Sequence, residues 1–214
     1  MKPSLVNDKV VWLPSSDGQF SIKSAWDEWR THGSRVVWAK ILWFKFHIPR
    51  ISTVVWFAIH NRLNTLDRLV VFGTSNPSIC CLCGVGPEDR NHLFFKCPFS
   101  YRVWNVMQDM CNLIVPYLDW IDLVDWLTRT IKGKYLAATI SKLVFTCSVY
   151  CIWTERNCRI FKGSKSTEVA MQAKIRSLVR NRILSISSFK EEVTNAWFMV
   201  KWSLPNSILK SGQG

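Results

Sequence analysis

The chain has 214 residues, which is enough for one large domain or two small ones with a substantial core. Its 28 Lys and Arg residues outnumber its 15 Asp and Glu residues, and the net charge of +13 suits either a polyanionic partner or a soluble protein that happens to be basic. The beginning lacks the apolar core of a signal peptide, and no stretch has the 18 or so uninterrupted apolar residues of a membrane span, so we expect an intracellular protein, cytoplasmic or nuclear.

The first elements predicted along the chain are a β-hairpin and a helix. Strands at 9–13 and 19–22 flank the turn residues of PSSDG, and Ser21 is placed to cap a helix that runs to about Thr31. Apolar residues at helical spacing then predict three further helices, the second after a break at Pro49 and the third capped by Thr65 and ended by Gly73. Their predicted ranges are 36–46, 51–62 and 66–72.

The second half of the chain predicts mostly helix. The expected ranges are 99–113, 119–132, 135–162, a helix that Ser166 or Thr167 starts and that runs to about Ile186, and 189–202, with Gly163 ending the third of them. The final seven residues, ILKSGQG, are expected to be disordered. The predicted fold class is therefore mainly α: a multi-helix domain with an N-terminal β-hairpin. Embedded in it is a knuckle with Cys80, Cys83, His92 and Cys97, whose side chains are of the types that bind zinc.

The knuckle rests on four residues with the spacing C-x2-C-x8-H-x4-C, namely Cys80, Cys83, His92 and Cys97. Thiolate and imidazole are the ligands that Zn²⁺ selects, and four of them complete a closed tetrahedral site. A closed site leaves no position for water or substrate, so we expect one structural Zn²⁺ that stabilises the fold and does not catalyse. Cys81 lies too close to Cys83 to form a knuckle pair with it, and we interpret it as a bystander. The alternative is a set of free core thiols and a surface histidine.

Local signals define the knuckle as residues 78–98. Gly84 relaxes the backbone behind the first ligand pair, and residues 88–95 are typical of a short helical turn that carries His92. Pro98 places Cys97 at the point where that turn has ended.

Four sequence stretches together resemble one protein family. They are DKVVWLPSSDGQFSIKSAW (8–26), VWAKILWFKFHIPRISTVVWFAIHNRLNTLDRL (37–69), CCLCGVGPEDRNHLFFKCPFSYRVW (80–104) and IWTERNCRIF (152–161). In that order they resemble the zinc-binding region of plant non-LTR (LINE-type) retrotransposon reverse transcriptases, which lies C-terminal to the polymerase. Asp89 stands where Thr or Ser is usual in that family, and Cys81 stands where Pro is common.

The resemblance implies a division of the chain and a class of partner. Residues 1–162 would be the zinc-binding region of a reverse transcriptase, and 163–214 a basic helical extension with a disordered tail. In such relatives the zinc module is thought to help hold template RNA or target DNA, so we expect RNA or DNA as partner and no small-molecule substrate. A different reading is a protein-interaction module that docks on polymerase or RNase H domains. A third is a retroelement fragment without function.

Candidate phosphate contacts follow from charge and position. They are Arg90, Lys96 and Arg102 near the metal ligands, Arg62 and Arg68 in the HNRLNTLDRL stretch, and Lys174, Arg176 and Arg180 on the basic helix near the C-terminus. The alternative for each of them is a solvated surface charge. Arg156 and Arg159 are expected to pair with Glu155.

Catalysis by two metal ions needs several carboxylates that converge on the ions. The adjacent acidic pairs are Asp27-Glu28, Glu88-Asp89 and Glu191-Glu192, and no Y-x-D-D motif occurs. We therefore expect no polymerase, endonuclease or RNase H activity.

Overall fold

A computed structural model of the chain describes most residues. The described segments are 10–30, 36–73, 79–186, 189–190, 192 and 195–210. The chain divides into two compact units, Met1–Val36 and Val37–Gly214. The boundary predicted between 162 and 163 lies inside the second unit. Residues 9, 31, 78, 191 and 211–214, which figured in the sequence predictions, lie outside the described segments.

The first unit contains a compact turn and helix α1, Ile22–Trp29. The predicted β-hairpin is wrong, because residues 10–20 form turns and no strand. The backbone N–H of Trp12 donates to the carbonyl of Gly18, but no ladder of cross-strand bonds follows, and an isolated two-stranded ribbon is only marginally stable. The predicted cap of α1 is confirmed: the Ser21 hydroxyl accepts from the backbone of Ser24, whose own hydroxyl bonds back to the Ser21 N–H.

The second unit is built from helices. They are α2 Ala39–Leu42, α3 Pro49–Ile59, α4 Leu66–Val71, α5 Pro98–Asp109, α6 Trp120–Thr130, α7 Leu136–Lys162, α8 Glu168–Leu184 and α9 Asn195–Lys201, with a five-residue π-helical turn at His92–Lys96 and a 3₁₀ turn at Asn206–Ile208. Helix α2 is much shorter than the predicted 36–46. Pro49 forces the preceding Ile48 into an extended conformation and opens α3 at its first position, so the chain must leave helical geometry before it.

Helix α7 lies at the centre of this unit. It has 27 residues and is long and apolar enough, by length and composition alone, to cross a membrane. However, 83% of its most apolar 18-residue window is buried inside the protein, as in the core helix of a globular domain. Helices α3, α5 and α8 pack against it. The position Gly163, predicted to end α7, adopts the left-handed conformation (φ +65°) of a helix C-terminus.

A cluster of aromatic rings fills the core between α5, α6 and α7. Its members are Phe94, Phe95, Trp104, Trp120 and Phe145, with ring centroids 5.0–6.4 Å apart. All five side chains are buried. Packing is thus the role of these tryptophans, and large aromatic areas of this kind dominate core energetics.

The C-terminal segment closes one side of the unit. Strands β1, Phe189–Lys190, and β2, Leu209–Lys210, form a short parallel pair, so the predicted disorder of the tail does not extend to residues 208–210. The indole N–H of buried Trp202 donates to the carbonyl of Met110 at 2.8 Å. Buried Leu204 and Ile208 add apolar contacts, and this non-local packing holds a segment whose local sequence favours disorder.

The fold yields a prediction about α7. Leu143→Ala removes a fully buried side chain from its centre and should lower the free energy of unfolding by about 2–5 kcal/mol, through lost burial and the cavity left behind. Ile160→Ala on the exposed side of the same helix should cost less than about 1 kcal/mol. Chemical denaturation of both variants measures the difference, and equal losses would contradict a central position of α7.

Candidate metal centre

The four predicted ligand side chains converge. The sulfur atoms of Cys80, Cys83 and Cys97 and a ring nitrogen of His92 all lie within 4.8 Å of one another. Sγ of Cys80 is 3.9 Å from Sγ of Cys97, and Sγ of Cys83 is 3.3 Å from Nε2 of His92. A zinc tetrahedron with ordinary bond lengths has sulfur–sulfur edges of about 3.8 Å and sulfur–nitrogen edges of about 3.6 Å. The arrangement therefore has the dimensions of a site for one Zn²⁺ ion.

A tight turn brings the first two ligands together. The N–H of Gly84 donates to the carbonyl of Cys80, and the N–H of Cys80 donates to the carbonyl of Gly86, both at 2.8 Å. Gly84 has φ +72°, a conformation in which other residues are strained. Gly86 has a different role: a Cβ atom there would lie 3.0 Å from Cε1 of His92, so the absence of a side chain leaves room for the ligand ring.

A π-helical turn joins the other two ligands. His92 and Cys97 are five residues apart, which on an α-helix would separate their directions by about 140°. The N–H of Cys97 instead bonds to the carbonyl of His92 at 2.6 Å, the i to i+5 pattern of a π-turn, and both side chains reach the same cluster. Asp89 starts this turn by accepting from the N–H of His92 at 2.6 Å, so its side chain serves as a cap.

The cluster is electrostatically suited to a cation. Cys80 and Cys97 are buried and share a hydrogen bond, which lowers the pKa of Cys97 and raises the pKa of Cys80. One thiolate is thereby favoured, and the other cysteine ligands would have to lose their thiol protons on binding a zinc ion. Cys81 is absent from the cluster: its sulfur faces the carbonyl of Arg156 at 3.7 Å, as expected for a bystander.

A buried ion pair connects the metal segment to α7. Glu88 and Arg156 are 0% and 2% exposed, and Oε1 of Glu88 accepts from Nε and Nη2 of Arg156 at 3.0 and 2.8 Å. The same oxygen accepts from the backbone N–H of Leu66 at 3.0 Å, and the Glu88 carbonyl accepts from Asp67 at 3.1 Å. The backbone N–H groups of Leu66 and Asp67 at the start of α4 thus both donate to Glu88, whereas Thr65 makes no side-chain cap bond. The expected pairing of Arg156 with Glu155 is wrong.

A second arginine of α7 binds the outer turn of the knuckle, which lies between Cys80 and Cys83. Arg159 donates to the carbonyls of Cys81 and Leu82 at 3.3 and 3.0 Å, and it pairs with Glu155 at 2.8 Å as expected. Glu155 in turn accepts from the N–H of Ser166 ahead of α8. Sequence reasoning missed both contacts to the knuckle. One sequence signal could have pointed to these contacts: Glu88 lies in one motif of the family resemblance, and Arg156 and Arg159 lie in another.

The predicted phosphate contacts near the metal are engaged within the chain. Nη1 of Arg90 donates to the carbonyls of Ala58 and Ile59 at the end of α3. Lys96 pairs with Asp119, and Arg102 pairs with Glu168 at 2.6 Å. The more distant candidates fall into two groups. Arg180 donates to the carbonyl of Ser203, and Arg62 and Arg68 lie over the rings of Trp56 and Phe72, respectively. Lys174 and Arg176 are exposed on α8. The structure does not gather these eight residues into one cluster around the metal.

Comparisons with known proteins agree with this chemistry. Residues 20–104 match the family described as "zinc-binding in reverse transcriptase", and this segment contains all four ligand residues. The chain is also 26% identical over 102 residues to an Arabidopsis thaliana protein named "Putative ribonuclease H protein". The match covers 45% of this chain and 16% of that protein, so the chain spans a small part of its relative. No solved structure matches the chain.

Ligand substitution tests the metal centre. We expect one zinc per purified chain, and Cys83→Ser should lose it on dialysis against a mild chelator and unfold at lower temperature, because structural zinc binding contributes directly to folding free energy. Cys81→Ser is the matched control and should keep its metal. Elemental analysis and thermal unfolding report both effects. Equal zinc content in the two variants would contradict the ligand set.

The ion pair gives a separate prediction. Arg156→Met leaves the Glu88 carboxylate buried without its partner and should cost about 3–5 kcal/mol of unfolding free energy. Arg102→Met breaks a pair whose arginine is 57% exposed and should cost at most about 1 kcal/mol. Denaturation curves compare the two. The double change Glu88→Gln/Arg156→Met should recover part of the loss, and no recovery would argue against direct coupling.

Proposed function

We propose that this chain, whose residues 20–104 match the zinc-binding family of reverse transcriptase, is a non-catalytic module of retroelement origin that is stapled by zinc and binds RNA or DNA. The observation that carries the proposal is its net charge of +13. A basic surface gains free energy on a nucleic acid by neutralising phosphates and releasing counterions. Because the chain covers only 16% of its Arabidopsis relative, the activity of a longer protein stays outside this assignment.

The metal would have a structural task. Cys80, Cys83, His92 and Cys97 would hold one Zn²⁺, and a zinc ion with four protein ligands supplies folding stability and no Lewis-acid position for a substrate. Protein contacts would position the metal-binding segment, because Glu88 pairs with Arg156 of α7 and Arg159 of α7 donates to the backbone of this segment.

Absence of catalysis is part of the proposal. Glu88 and Glu155 are buried and engaged by arginines, which removes them from the set of carboxylates that could bind Mg²⁺. The pure chain should therefore show no magnesium-dependent cleavage or nucleotide incorporation. None of the eight cysteines forms a disulfide, which favours a reducing intracellular compartment, cytoplasmic or nuclear.

A second candidate function is docking on polymerase or RNase H domains. It is favoured by α1, where Ile22, Trp26 and Trp29 are exposed at positions that share one helix face. Exposed apolar rows of this kind often mark protein contacts. Salt separates the two functions, because an apolar interface responds weakly to ionic strength and phosphate contacts respond steeply.

A binding titration tests the function. Affinity of the zinc-loaded chain for a labelled RNA or DNA oligonucleotide should fall at least about tenfold between roughly 50 and 200 mM salt, which corresponds to about two phosphate contacts. Fluorescence anisotropy measures the dissociation constants, and sequence changes in the oligonucleotide should alter them little. Absence of binding at the lower salt concentration, or a flat salt response, would favour the docking alternative.

A further inference from the structure

Three helices of the second unit carry most of the uncompensated positive charge. Together α3, α7 and α8 contain nine Lys and Arg residues and only two acidic ones, Glu155 and Glu168. Both carboxylates are engaged, Glu155 by Arg159 and Glu168 by Arg102. In the described part of the chain, these helices therefore offer no free carboxylate to repel a polyanion.

The outer side of α7 forms a row between its two neighbours. Tyr150, Thr154, Asn157 and Phe161 recur at the spacing of one helix face, and they are half-buried or, for Phe161, 77% exposed. Helices α3 and α8 both pack against α7. The row is polar and aromatic and has no aliphatic side chain, which distinguishes it from the core-facing sides of the same helix.

Each of these two neighbouring helices brings a cation close to the row. From α3, the guanidinium of Arg50 lies 5.9 Å from the ring centre of Tyr150. From α8, which packs against α7, exposed Lys174 directly precedes buried Ile175 and so lies beside the face of α8 that meets the core. Burial raises the pKa of Cys151, the residue after Tyr150, to about 11, and the charge of Lys174 opposes that rise. Within the described residues neither Arg50 nor Lys174 forms an ion pair, so both charges are available to a ligand.

We propose that this α7 row, bordered by Arg50 and Lys174, is the surface on which the chain binds single-stranded RNA or DNA. The inference rests on the nucleic-acid function proposed above and assigns it a place and a strand state. Phosphates would contact the two bordering cations, and bases would stack on the Tyr150 and Phe161 rings. Stacking on aromatic side chains between cationic borders is a general mode for single strands, and the bases of a duplex are not free to use it.

The dimensions of the row suit this occupant. Tyr150 and Phe161 are eleven residues apart on α7, about 16 Å along the helix axis, which is enough for several nucleotides. The surface also avoids the cations nearest the metal, since Arg90, Lys96 and Arg102 already have partners within the chain. Phe161, the last residue of the IWTERNCRIF motif, is exposed, and the proposal assigns its ring to base stacking.

Charge reversal with a matched control tests the location. The test variant is Arg50→Glu/Lys174→Glu, and the control is Lys134→Glu/Arg176→Glu, which has the same net charge. Arg176 lies on the same helix as Lys174 but about 160° away around its axis, and Lys134 lies just before α7, about 20 Å from Tyr150 along the helix. Both control residues are exposed.

Anisotropy titrations use the zinc-loaded full chain with a fluorescein-labelled twelve-nucleotide RNA, the equivalent single-stranded DNA and a DNA duplex. The test variant should bind both single strands at least tenfold more weakly than the control, and the slope of log K against log salt should flatten by about 0.7 for each lost contact. Phe161→Ala should weaken binding by about five- to a hundredfold, whereas Ile160→Ala next to it should have little effect. Zinc content and circular dichroism verify that each variant is folded.

The outcomes separate the two proposals. Lack of binding by the unmodified chain would overturn the nucleic-acid function and the surface together. Binding that the test and control variants weaken equally would overturn the surface and leave the function standing. Duplex affinity equal to single-strand affinity, or no effect of Phe161→Ala, would overturn stacking of a single strand.

Discussion

The buried contact between Glu88 and Arg156 is the interaction on which the position of the metal segment depends. Burying two charges costs several kcal/mol per ion, and the cost is offset only where hydrogen bonds satisfy both groups. Here Oε1 of Glu88 receives two guanidinium donors and the N–H of Leu66, while the Glu88 carbonyl receives the N–H of Asp67. Oε2 of Glu88 is buried and has no hydrogen-bond partner among the described residues, so the network stabilises this carboxylate through one of its two oxygens. Removal of either charge would therefore affect the start of α4, the knuckle and α7 at once.

The metal site and this polar network act on different parts of the same segment. The four ligands close a local loop between Cys80 and Cys97, whereas Arg159 attaches the outer turn of that loop to α7 through two backbone carbonyls. Glu155 extends the network to the residues that precede α8. A knuckle of this size has little core of its own, so its orientation must come from helices elsewhere in the unit.

The same contacts change how the net charge is to be interpreted. Arg90, Arg156, Arg159 and Arg182 all donate to carbonyl or carboxylate groups inside the protein, so a count of basic residues overstates the charge that a partner can reach. The positive charge that a partner can reach is unevenly distributed, because α3, α7 and α8 have exposed cations and lack exposed carboxylates. Electrostatic selection of a partner depends on that distribution more than on the total.

The sequence by itself determined the features that arise from neighbouring residues: the ligand types and spacing at Cys80 to Cys97, the cap at Ser21, and the long helix that ends at Gly163. These features follow from ligand chemistry, capping and apolar periodicity, all of which act over a few residues. Only the tertiary structure decided that the N-terminal hairpin does not form, that residues 208–210 are ordered, and that Glu88 pairs with an arginine 68 positions away. Those outcomes depend on contacts between distant segments, and the helix and strand propensities of individual residues do not describe such contacts.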